Sequence, residues 1–67
     1  MNPKAKMIMN MAESIAKINN VNIERLDLQY VHMGANGKFN YYILTVWYSD
    51  GKEIRIRDDC TIVEKEA

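Results

Sequence analysis

Sixty-seven residues with nine basic and nine acidic side chains make a short, formally neutral chain. One cysteine and one histidine exclude an internal disulfide and a closed four-ligand zinc site; the missing basic excess argues against a dedicated duplex-DNA binder, whose affinity comes largely from neutralising phosphates. No apolar run approaches the ~18 residues that a membrane-spanning helix needs, so no membrane partner is expected.

A single domain over residues 1–67 is expected at this length. Below about 70–80 residues a single core rarely supplies more than about 3–5 kcal/mol without disulfides, a metal or oligomerisation. Oligomerisation is the remaining staple, and a homodimer is expected. A lone thiol with no leader pattern suits a reducing, cytoplasmic setting. Plentiful Asn, Ile, Lys, Tyr and Met with scarce Pro and Arg fit an AT-rich coding sequence, so a bacterial or phage origin is expected.

Asn2-Pro3 is a helix start: Asn2 can cap, and proline at the first helical position loses no hydrogen bond. Ala5, Ile8, Met9, Ala12, Ile15 and Ala16 form one helical face, and Met7, Met11 and Ile18 widen it along one edge. The apolar arc spans about 200°, whereas a surface helix needs a stripe of just over 100°. The excess predicts a second contact beyond the sheet, with Met7, Met11 and Ile18 as self-association candidates. Asn19-Asn20 ends the helix.

Ile23 to Met33 reads as a first strand, with Leu26, Leu28 and Tyr30 on one face and Arg25, Asp27 and Gln29 on the other. A turn at Gly34 to Lys38 leads to Phe39–Tyr48, which is apolar or aromatic on both alternations. A strand covered on one face alternates apolar with polar; this one asks for cover on both. Ser49-Asp50-Gly51-Lys52 is a second hairpin turn, and Glu53–Arg57 a third strand. Asp58-Asp59 stops it. Cys60–Val63 is either its continuation past a bulge or a separate short element, and Glu64 to Ala67 is expected to fray.

The fold class is therefore α+β: an N-terminal amphipathic helix on a three-stranded antiparallel β-meander, in the order αβββ. Both turns carry Asn/Asp-Gly-Lys, which suits three-residue loops with glycine left-handed. Leu28 then faces Leu44, Leu26 and Ile54 face Val46, and Ile56 faces Leu44. The inner face becomes Leu26, Leu28, Tyr30, Tyr42, Leu44, Val46, Ile54 and Ile56, and is expected to receive the helix. Two-residue loops would slip each hairpin by one residue and turn Ile43, Thr45 and Trp47 inward; the first register keeps Thr45 outside.

The outer face then carries Tyr41, Ile43, Thr45 and Trp47, flanked by Arg25, Asp27, Gln29, Glu53, Arg55 and Arg57. Aromatics beside arginine are the mix enriched at interface hot spots. Candidate binding residues are Arg25, Gln29, Tyr41, Ile43, Trp47, Arg55 and Arg57. The bland alternative is a solvated face whose arginine stems lie over the rings.

His32 and Cys60 would lie in one cross-strand row with the central strand between them, about 10 Å apart. That is too far for a nucleophile–base pair; Cys60 reads instead as a small semi-buried group. Asp58, Asp59 and Glu64 read as an acidic turn rather than a cation site. No catalytic residue, cofactor or metal is expected. The expected function is a small non-catalytic interaction module, acting as a homodimer or by binding another protein, such as a phage or mobile-element accessory or inhibitor protein. The alternatives are a binder of an anionic small molecule or nucleotide in a dimer groove, and a single-stranded nucleic-acid binder using the outer sheet face.

Overall fold

The computed structural model describes residues 2–32 and 40–65. Helix α1 runs Pro3–Asn19, and the Asn2 side chain accepts a hydrogen bond from the Lys4 N–H at 2.9 Å. That satisfies one of the orphan donors of the first turn. Asn20 ends the helix in the left-handed conformation (φ 55°), its N–H turned back on the Ala16 and Lys17 carbonyls. Asparagine tolerates that backbone better than most side chains.

Four strands follow: β1 (Ile23–Val31), β2 (Tyr41–Tyr48), β3 (Glu53–Arg57) and β4 (Ile62–Lys65), in one antiparallel sheet of order β1-β2-β3-β4. The fourth strand corrects the three-stranded expectation. Asp58-Asp59 does stop β3, but the chain then reverses and pairs back, Ile62 opposite Ile56 and Val63 opposite Arg55. Glu64 and Lys65 belong to this strand, opposite Ile54 and Glu53, and so are not frayed. The reversal uses Cys60 in the left-handed region (φ 69°) and Asp59, whose carboxylate accepts from both the Thr61 N–H and the Thr61 hydroxyl.

The pairing is the one that three-residue loops require. Leu28 faces Leu44, Leu26 faces Val46, and Val46 and Leu44 face Ile54 and Ile56. In the second hairpin the Tyr48 N–H donates to the Lys52 carbonyl at 2.9 Å, and Gly51 takes a φ of 88° that a Cβ would disfavour. The first turn, together with Met33 and Phe39, lies outside the described residues.

Ile8, Leu44, Val46 and Ile56 are buried completely, with Ala5, Ala12, Ala16, Tyr48 and Ile54 around them. The alanines let the helix axis approach the sheet, and Ile8 fills the middle. The Tyr48 hydroxyl donates to the Ala12 carbonyl at 2.9 Å, tying helix to sheet inside the core. The helix, however, covers only part of the face it was expected to cover. Leu26, Leu28 and Tyr30 point to the same side as Leu44 and Val46 but remain 39%, 41% and 47% exposed. The reason is width: a helix is about 10 Å across, and strands repeat every ~4.8 Å. The helix lies chiefly over β2, reaching β1 and β3 only in part, and leaves Leu26, Leu28 and Tyr30 of β1 and Ile62 of β4 open.

Candidate interaction surface

The outer sheet face gathers the expected row. Tyr41, Ile43, Thr45 and Trp47 alternate along β2, with Arg25, Asp27 and Gln29 opposite on β1 and Arg55 and Arg57 on β3. Each member of the row is half-buried, because neighbouring side chains lie over it. The Arg25 guanidinium sits 4.8 Å from the Trp47 ring centre, and that of Arg57 sits 4.1 Å from the Tyr41 ring. The Trp47 indole N–H donates to Glu53 at 2.9 Å, and Arg55 lies 3.9 Å from the same carboxylate. Two arginines are thus engaged with rings and the third shares an acid. A shallow depression bordered by Asp27, Gln29, Ile43, Thr45, Trp47 and Arg55 remains.

The most exposed large apolar side chains of the described residues lie mainly on the other face, beside the helix. On its β1 side stands the strip Leu26, Leu28, Tyr30. Tyr30 continues it by packing against Tyr42 (ring centres 4.6 Å apart) and, edge-on, against His32 (4.7 Å). On the β4 side, Met7, Met11 and Ile15 of the helix and Ile62 of β4 line an apolar groove of about 570 Å³. Of the helix-edge candidates, Met7 is 38% exposed, Met11 is half-buried against the core, and Ile18 is 81% exposed near the end of the helix. Met7 and Met11 share the groove; Ile18 is not part of its lining.

Cys60 is exposed rather than semi-buried, and its Sγ lies 3.9 Å from the Met7 Sδ. His32 sits against Tyr30 at the β1 edge, so the two residues have separate surroundings. Asp58 accepts from the Tyr42 N–H at 2.9 Å, and Glu64 pairs with Lys52 at 3.5 Å. The acidic turn residues are thereby committed to the backbone and to a lysine. Among the described residues no cluster of three His, Cys, Asp or Glu side chains could hold a metal ion. No helix among them is long and apolar enough to cross a membrane.

Among the described residues, two ionisable groups depart from their ordinary behaviour. Burial pushes the Tyr48 hydroxyl up, with the nearby Asp50 carboxylate adding to the effect. The hydrogen bonds from Thr61 hold the Asp59 carboxyl below the usual range. Both groups serve structure, one locking the helix to the sheet and the other closing a turn.

The chain matches no protein-family model, no curated protein and no solved structure. The strip Leu26, Leu28, Tyr30 was legible in the sequence as inner-face residues but not as exposed ones. The signal that could have found it is a count: four strand widths against one helix.

Proposed function

We propose that this chain is a small non-catalytic interaction module that works through association with protein, either a second copy of itself or another chain. The observation that carries the reading is the apolar surface left open beside the helix. Leu26, Leu28 and Tyr30 stand on the core-bearing face yet are roughly two-fifths to one-half exposed. Burying apolar area contributes about 25 cal/mol per Å². A domain of this size has little other stabilisation to draw on, so covering that strip strengthens the fold as well as the complex.

The outer face supports this reading less directly. Its rings already have arginine and glutamate neighbours within the chain, as a solvated face would. For an anionic ligand or a nucleic acid the same arginines would have to leave those rings. Sedimentation equilibrium of the purified chain at micromolar concentration tests the reading. The expected result is about twice the chain mass, with thermal unfolding that shifts upward as concentration rises. A monomer with a concentration-independent transition, recovering no protein partner from cells, would overturn it.

A further inference from the structure

Strand β1 is one edge of the sheet, and it is the less protected of the two. Edges are commonly kept short, bulged, charged (lysine above all), interrupted by proline or covered; β1 carries charges and a bulge at its start, but from Leu26 to Val31 its one charged residue is Asp27. The opposite edge, β4, is four residues long and ends in Glu-Lys. By contrast β1 is nine residues long, with neither Lys nor Pro, and its register irregularity lies at one end, between Ile23 and Arg25. Its outward backbone groups have no strand beside them among the described residues. The exposed Leu26, Leu28, Tyr30 strip lies along this same edge.

We infer that the partner at this surface is a second copy of the chain, joined β1 to β1 in antiparallel fashion about a two-fold axis through Leu28, so that two four-stranded sheets become one of eight. The inference rests on the interaction reading above and names its partner. Two-fold antiparallel pairing keeps each residue on its own face, so the register is chosen by which side chains meet. With the axis at Leu28, that residue faces its own copy and Leu26 faces Tyr30 of the second copy. The apolar strip then pairs wholly with itself. On the outer face Asp27 meets Gln29 of the second copy, a carboxylate opposite an amide donor.

The neighbouring registers are worse. With the axis at Asp27, two carboxylates stand directly opposite each other, which destabilises a strand pair. With the axis at Leu26, Leu28 falls against the irregularity between Ile23 and Arg25, and Tyr30 runs past the start of the strand. With the axis at Gln29, Asp27 meets Val31 and Leu26 runs past the end of the strand. A foreign strand would have to reproduce the alternation that the chain already carries in reverse. The pairing shields the strip from its open side, and the two helices, both on that face, flank it.

The test combines cross-linking with sedimentation, in a Cys60→Ser background that leaves no other thiol. Residues directly opposite on antiparallel strands have Cβ atoms about 4.5–5.5 Å apart, wider than a relaxed disulfide spans but within the reach of a short thiol-to-thiol cross-linker. Leu28→Cys should therefore give a covalent dimer with such a cross-linker, and Leu26→Cys, four residues out of step with its own copy, should not. Leu28→Lys, which places two like charges on the axis, should weaken the dimer at least about thirtyfold while keeping the far-UV spectrum of the monomer. A dimer by sedimentation that Leu28→Cys fails to link overturns this geometry and leaves self-association standing. A monomer throughout overturns both.

Discussion

Replacing Tyr48 by phenylalanine removes one oxygen from the most buried polar contact between helix and sheet. Tyr48 is 3% exposed, and its hydroxyl donates to the Ala12 carbonyl at 2.9 Å. The ring stays, so packing is kept; what is lost is a desolvated hydrogen bond, worth about 1–2 kcal/mol. For so small a chain the urea slope is about 1 kcal/mol per molar, so the midpoint should fall by about 1–2 M. The same change has a pH signature. The Tyr48 hydroxyl is held above its ordinary value in the folded chain, chiefly by burial. Its contribution is complete below the unfolded tyrosine value, about 10, and is lost as pH rises through the higher folded value. Wild type should therefore lose stability above pH ~10 more steeply than Tyr48→Phe. The two proteins differ only at this hydroxyl, so the difference between their profiles belongs to it. Equal urea midpoints and parallel alkaline profiles would refute the buried tyrosine–helix contact.

Trp47→Ala removes a ring stacked by Arg25 and bonded to Glu53, and should cost about 1–2 kcal/mol of stability. It should leave dimer affinity nearly unchanged; a loss of about thirtyfold or more would place the interface on the outer face. Cys60→Ser should be neutral within about 0.5 kcal/mol because the site is exposed. Cys60→Gly should raise the urea midpoint by the equivalent of about 0.5–1 kcal/mol, since the position is left-handed.

Much of the architecture was legible because local signals agreed. Asn2-Pro3 set the helix start, the Asp50-Gly51-Lys52 turn set the length of the second loop, and Thr45 at an outward position set which face of β2 is inner. Two things were not. The fourth strand stayed undecided between a continuation of β3 and a separate short element, because Asp58-Asp59 and a left-handed Cys60 interrupt the alternation and only Ile62 and Val63 give it an apolar pair. The open strip on β1 was hidden for a different reason. Alternation says which face a side chain takes, but not how far a single helix reaches across it. The helix-edge residues show the same limit. Met7 and Met11 share one groove, whereas Ile18, on the same arc of the wheel, stands 81% exposed outside it.

Amide hydrogen exchange of β1 as a function of protein concentration addresses the proposed association most directly. In a monomer the alternate β1 amides that point away from β2 face solvent, and they should exchange rapidly at low concentration. If a second copy pairs along this edge, those amides become protected as concentration rises, and the Leu28→Lys variant keeps them fast at every concentration. Outward β1 amides that exchange equally fast at all concentrations, while protection grows on the helix flank or the outer face, would contradict the account.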